Sequence, residues 1–238
     1  MAKQLSEFNM DFHRLVELKP EQLDSTVGPV FVDRQISIFH GPERGLLTEM
    51  AHIAALGGVV ANNRSLYLDS GSGFSPNLMR KFGETMEADR PLEHIQIGNV
   101  FSLTDLEAAV EHAGTHGFRV VIVDSLTGVM NLSGKPMTKK TQRKLYSSLE
   151  KLRAQVNNHG LHLMMTAYSS KGARKPVGGN VLAHAVDSVI RIEKLDVSDS
   201  AIRILVQFSP LIKNERAVVV YLSPCGLESI YGGFHSWE

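Results

Sequence analysis

The sequence holds a single cysteine, Cys225, among 238 residues. That excludes an internal disulfide framework and a cysteine-rich metal site. Excess charge is also missing, since 25 Lys+Arg stand against 25 Asp+Glu. Wholesale coating of nucleic acid is therefore disfavoured, while a local basic patch stays open. No apolar run is longer than about half a dozen residues, far short of the ~20 a membrane helix needs. The opening MAKQLSEFNMDF lacks the basic-then-apolar pattern of a signal peptide, and neither an internal repeat nor a Ser/Gly/Pro-rich linker interrupts the chain. What is present is 43% hydrophobic and 21% charged, the make-up of an ordinary globule. A chain of this length buries about 70–75% of its surface and suits one α/β domain with a short appendage. The expectation is a cytoplasmic protein with no membrane partner. It would comprise an N-terminal arm (1–25, with a turn of helix opened by Pro20) and one core domain (26–238).

From about residue 35, short β-rich runs alternate with longer amphipathic stretches. Strands are expected at 36–40, 65–69, 95–98, 120–124, 162–167, 186–193, 201–208 and 217–222. Helices are expected at 47–56, 76–86, 103–116 and 141–158. In 103–116, Leu103, Leu106, Val110 and Ala113 share one face, and Thr104 with Glu107 has the spacing of a capping box. Strands first alternate with helices and then follow one another directly. That order predicts an α/β fold whose mostly parallel, twisted sheet gains antiparallel strands at its C-terminal end.

Ligands of open parallel sheets sit at the carboxyl ends of strands. The first such end reads Gly41-Pro42-Glu43-Arg44-Gly45-Leu46-Leu47-Thr48 ahead of a helix. It is set against the phosphate-loop pattern G-x-x-x-x-G-K-[ST]. Gly41 and Thr48 match, whereas Leu46 stands at the second glycine and Leu47 at the lysine. The lysine neutralises phosphate oxygens and the glycines let backbone N–H groups converge on them; two leucines supply neither. Arg44 and Gly45 are the nearest substitutes for charge and backbone freedom. A second strand end, Val120-Val121-Ile122-Val123-Asp124-Ser125, finishes in a carboxylate of the kind that holds Mg²⁺ in nucleotide-hydrolysing sheets. Each segment alone is equally compatible with an ordinary strand end.

Two further segments are Asp69-Ser70-Gly71-Ser72-Gly73-Phe74-Ser75-Pro76 and Pro176-Val177-Gly178-Gly179-Asn180-Val181-Leu182-Ala183-His184-Ala185. In this order and spacing, the four segments resemble the RecA-type recombinase core, specifically the archaeal RadA/RadB branch and its eukaryotic relatives. The likeness runs over roughly residues 22–230. Leu23-Asp24, Ser209-Pro210-Leu211 and Gly226-Leu227-Glu228 resemble further landmarks of that family. The resemblance implies a RecA-like three-layer core. It also implies departures: Leu47 stands at the phosphate-loop lysine, Gly71 at the catalytic glutamate, and Tyr168 at the strand-end glutamine that couples nucleotide to DNA. Gly41, Arg44, Gly45, Thr48 and Asp124 would then form a degenerate nucleotide site with no catalytic residue, no resident metal and no required cofactor, ATP with Mg²⁺ being doubtful.

By family position, two loops would contact single-stranded DNA. The first, 128–141 with the helix start after it, carries Lys135, Lys139, Lys140, Arg143 and Lys144. The second, 169–175, carries Lys171, Arg174 and Lys175. In a chain of zero net charge these cations make a local patch suited to a phosphate backbone. The resemblance thus implies a non-hydrolysing, archaeal-type accessory factor of recombination and DNA repair. Its partners would be single-stranded DNA, a RadA-type recombinase or another paralogue, or further copies of itself. The alternative is a residual DNA-dependent ATPase completed by Arg44 or by a neighbouring subunit's lysine.

Overall fold

Apolar, β-branched runs set the centre of the molecule, because strands covered on both faces need continuous rather than alternating hydrophobicity. A computed structural model describes residues 12–71, 73–131, 138–177, 179–196, 198 and 200–229. Its first half holds α1 (Glu21–Val27), a 3-10 turn (Gly28–Val30), β1 (Gln35–Gly41), α2 (Arg44–Val60), β2 (Ser65–Asp69), α3 (Pro76–Met86), α4 (Pro91–His94), β3 (Ile95–Asn99) and α5 (Leu103–Thr115). Then come β4 (Val120–Asp124), α6 (Leu126–Val129), α7 (Lys139–His159), β5 (His162–Tyr168), α8 (Gly179–Ala185), β6 (Ser188–Lys194), β7 (Ala201–Phe208), β8 (Arg216–Ser223) and β9 (Gly226–Ser229).

Among the described residues the strands form one nine-stranded sheet in the order β3-β2-β4-β5-β1-β6-β7-β8-β9. The first six run parallel and the last three pair antiparallel, as the change from alternating to consecutive strands implies. Successive residues divide between two cores. Val120 and Ile122 of β4 join Phe39, Tyr67 and Met164 under α2 and α3. Val121 and Val123 join Ile36, Ile38, Leu163 and Met165 under α5 and α7. The result is a helix–sheet–helix stack.

Residues 12–25 of the expected arm place Leu15, Val16, Leu18 and Leu23 in the core under α2; residues 1–11 lie outside the described set. The short helices α4, α6 and α8 were not among the expected elements, and three further details depart from them. Ser102, not Thr104, caps α5, its hydroxyl accepting from Asp105 N at 3.1 Å. Glu107 is drawn instead to α7, accepting from Ser148 Oγ at 2.5 Å and Lys151 Nζ at 2.9 Å. The strand β9 was not expected, having only four residues with Glu228 among them. Finally, α2 opens at Arg44 rather than at residue 47, which changes the geometry of the site.

Candidate functional site at the carboxyl ends of the parallel strands

Only Pro42 and Glu43 separate β1 from α2. Leu47 N already bonds back to Glu43 O at 3.2 Å, so the helix's free N–H groups lie about one turn ahead of Thr48. Leu46 and Leu47 are 5% and 3% exposed and belong to the core under α2. Gly41 is required by its own strand: a Cβ there would stand 2.2 Å from the Ile192 carbonyl oxygen of β6. Around Gly45 the space is open. The exposed Arg44 sets its Cζ 5.5 Å from the centre of the Tyr168 ring, within reach of a cation–π attraction.

Asp124, at the end of β4, is 7% exposed and surrounded by hydroxyls. Thr48 Oγ1 donates to Oδ2 at 2.7 Å, Tyr67 Oη donates to the same oxygen at 2.9 Å, and Thr166 Oγ1 donates to Oδ1 at 2.8 Å. Burial, and then the neighbouring Asp124 charge, push the Tyr67 phenol well above its ordinary range, which keeps it protonated as a donor. These are charge-assisted bonds, and they join α2, β2 and β5 to one carboxylate. A turn of chain closes over them: a Cβ on Gly73 would lie 3.0 Å from Asp124 Oδ2 and 3.2 Å from Thr48 Oγ1. That turn is fastened by Asp69, whose Oδ1 accepts from Gly71 N (2.8 Å) and Gly73 N (3.2 Å) and whose Oδ2 accepts from Phe74 N (3.0 Å). His52 clips its far end, Nδ1–H donating to Thr48 O at 2.8 Å and Nε2 accepting from Ser75 N at 3.0 Å. Burial lowers the His52 pKa, outweighing the nearby Asp124 and Asp69, so the neutral ring keeps this tautomer.

A cleft of about 580 Å³ opens beside this cluster, lined in part by Arg44, Leu47, Thr48, Ser70, Thr127 and Tyr168. Thus Arg44, Gly45, Thr48 and Asp124 of the candidate nucleotide residues line one cavity, with Gly41 behind it in the sheet. Tyr67 and Thr166 complete the ring around Asp124 and were not singled out as site residues in the sequence. A signal for Tyr67 was present: a tyrosine inside a fully buried strand needs a partner for its hydroxyl.

The two basic segments leave adjacent strands, β4 and β5, and are tied together where Tyr168 N donates to Thr127 Oγ1 at 2.9 Å. Lys139, Lys140, Arg143 and Lys144 occupy the opening turns of α7 and are exposed. The first turn of α7 holds no acidic residue, although the positive end of a helix dipole favours one. Lys171, Arg174 and Lys175 are exposed on the second loop, where Lys171 stands 3.8 Å from the exposed Asp196. Lys135 lies outside the described residues. Among those residues, no helix is long and apolar enough to cross a membrane.

Strand order, covered faces and a cleft at the carboxyl ends of β1 and β4 make this a RecA-like fold. A family model described as Rad51 matches residues 19–228, and the chain belongs to that family as a RadA/RadB-like member. The meiotic recombination protein DLH1 of Candida albicans is 27% identical over 201 residues, 73% of this chain. DMC1 of Saccharomyces cerevisiae is 24% identical over 201 residues. The chain spans 61% and 60% of the length of those two relatives. The DNA repair and recombination protein RadB of Thermococcus sibiricus is 23% identical over 208 residues, covering 80% of this chain and 89% of its own. A crystal structure of the RadB recombinase superposes with a TM-score of 0.71 at 18% identity, over 87% of this chain and 96% of that one.

Proposed function

We propose that this chain is a non-hydrolysing accessory member of the Rad51 family, acting in the cytoplasm in homologous recombination and DNA repair. It binds single-stranded DNA, a RadA-type recombinase, or both. The observation that carries the reading is Leu47, buried in the core at the place where the family's resemblance calls for a cation. The family implies ATP and Mg²⁺, and the residues present do not fit them. Arg44 is the one cation among the described residues lining the cleft, the helix's free N–H groups lie ahead of Thr48, and both Asp124 oxygens are already engaged by hydroxyls. Gly71 offers no base to orient a water. Losing a positioned base and a charge clamp removes several kcal/mol of transition-state stabilisation. The basic residues of α7 and the 169–175 loop supply the phosphate-binding surface, which suits a sequence-independent backbone contact.

Calorimetric titration with ATP and Mg²⁺ tests the first half: no saturable heat is expected, and a stoichiometric isotherm overturns it. Fluorescence anisotropy with a labelled single-stranded oligonucleotide tests the second, with binding expected at low salt; its absence there removes the DNA contact. One observation favours the alternative, a residual ATPase completed by Arg44: that side chain is exposed at the cleft mouth over Tyr168. Phosphate release that is stimulated by DNA and vanishes in Asp124→Ala selects that alternative.

A further inference from the structure

Arg191 lies in the middle of β6, opposite His40 on one side and Leu205 on the other, and is 8% exposed. A guanidinium so buried is costly unless every face is engaged, and an apolar side chain of similar volume is often at least as stable there. Its fork divides in two. Nε and Nη2 meet Glu193 Oε2 at 2.8 and 2.6 Å. Nη1 reaches out of the sheet to the Ala173 carbonyl at 2.6 Å, in the middle of the second basic loop. Glu193 is held from its other side by Arg203 of β7, which donates to Oε1.

The entrance to the same loop is fastened by His40. Ser169 N donates to Gly41 O at 2.9 Å, and Ser169 Oγ lies 3.1 Å from His40 Nδ1. His40 Nε2 lies 2.7 Å from Gln207 Oε1 of β7. With Nε2–H donating to Gln207, Nδ1 is left to accept the serine hydroxyl. At the exit, Val177 N returns to Tyr168 O at 3.0 Å. These fastenings to the sheet run through β1, β5, β6 and β7 and do not pass through Thr48 or Asp124.

We propose that Arg191, braced by Glu193, is the positioning residue of the 169–175 loop. It pins the Ala173 carbonyl so that Lys171, Arg174 and Lys175 face a polyanion in a geometry set by the sheet, whatever the cleft holds. The presentation half rests on the DNA-binding reading above; the clamp itself does not. Arg191 touches no ligand in this scheme and acts through the loop backbone.

The test compares wild type with Arg191→Met, Arg191→Lys and Glu193→Gln by hydrogen–deuterium exchange and by anisotropy with a single-stranded oligonucleotide. In Arg191→Met, Glu193 keeps Arg203, so no charge is stranded. Amides of 169–177 are expected to exchange about tenfold faster than in wild type, since a hydrogen bond from a charged donor is lost, while those of α2 and β4 are unchanged. Arg191→Lys should fall between the two. DNA affinity should drop about tenfold in Arg191→Met, with ATP and Mg²⁺ having no effect on it in either protein. Unchanged loop exchange in a folded Arg191→Met overturns the clamp. If that variant does not fold, Glu193→Gln carries the same expectation and the same refutation. Faster exchange with unchanged affinity overturns the presentation half alone. A wild type that binds no DNA removes the reading beneath it and leaves the exchange result to decide the clamp.

Discussion

Thr48 Oγ1 donates to Asp124 Oδ2 at 2.7 Å, joining the second turn of α2 to the end of β4. With Tyr67 and Thr166 on the same carboxylate, the contact is part of a structural knot between four elements, α2, β2, β4 and β5. A carboxylate kept for a metal is usually a liability to the fold, and neutralising it raises stability. A carboxylate receiving three hydroxyls is an asset. Asp124→Asn replaces one acceptor oxygen with a donor that faces hydroxyls, so it is expected to cost about 1–3 kcal/mol. In a domain of this size that lowers the melting temperature by roughly 3–10 °C. A thermal melt checks it, and a raised midpoint contradicts the structural role.

Gly41 and Gly45 should respond in opposite directions. A Cβ on Gly41 meets the Ile192 carbonyl at 2.2 Å, backbone against backbone, while one on Gly45 meets nothing within 4 Å. Gly41→Ala must therefore part β1 from β6 and is expected to cost more than about 2 kcal/mol. Gly45→Ala lies in the first turn of α2 and is expected to stabilise by about 0.4–1 kcal/mol through the unfolded chain. Urea unfolding of the two variants decides it. Equal, small effects would mean that neither glycine serves the packing described.

How far the sequence could be read follows from what kind of contact each feature needs. The strand β4 was legible because its five residues are apolar up to Asp124 and buried, a local property. β9 was not, since a four-residue edge strand is defined by its partner β8. The cap of α5 slipped by two residues because Ser102/Asp105 and Thr104/Glu107 have the same spacing, and only α7, which claims Glu107, separates them. At the candidate site the sequence supplied Thr48 and Asp124 as separate residues. Their direct bond, with Tyr67 and Thr166 gathered on the same carboxylate, is a relation among four distant positions. Likewise, the early start of α2 depends on Leu46 and Leu47 being drawn into the core, which no local pattern of Gly and Leu announces.

Acid should loosen the fold in a defined window. His162 is completely buried, its Nδ1–H donating to Val32 O at 2.9 Å and its Nε2 accepting from Ser37 Oγ at 2.8 Å. Burial pushes its pKa down from 6.5 to about 4, and burial lowers His40 and His52 as well. The unfolded chain therefore binds more protons than the folded one between those two values. Stability is complete above pH 6.5 and is lost as pH falls toward 4. For His162 alone, going from pH 7 to pH 5 should remove about 2 kcal/mol. His162→Gln can keep both hydrogen bonds without titrating, so its loss over that interval should be smaller by that amount. Urea unfolding at pH 7 and 5 measures it; identical losses in both proteins would contradict the assignment.

Binding to single-stranded DNA should report the two basic segments through salt rather than through sequence. Each phosphate neutralised on a single strand contributes about 0.7 to the slope of log K against log salt, by releasing a condensed counterion. Lys139 and Lys140 open α7 and Arg174 and Lys175 sit on the second loop, all exposed. Replacing these four by alanine is expected to make that slope shallower by about 3, with affinity lost evenly across oligonucleotide sequences. The fold should hold: Lys139 and Lys140 oppose the dipole of α7, so alanine there relieves about 0.3–1 kcal/mol per charge. Anisotropy titrations at several salt concentrations, paired with a thermal melt, separate the outcomes. A weakened complex with an unaltered slope would place the lost contacts off the phosphate backbone, and a preference for particular bases would move the interface from charge to stacking on Tyr168 or Tyr146.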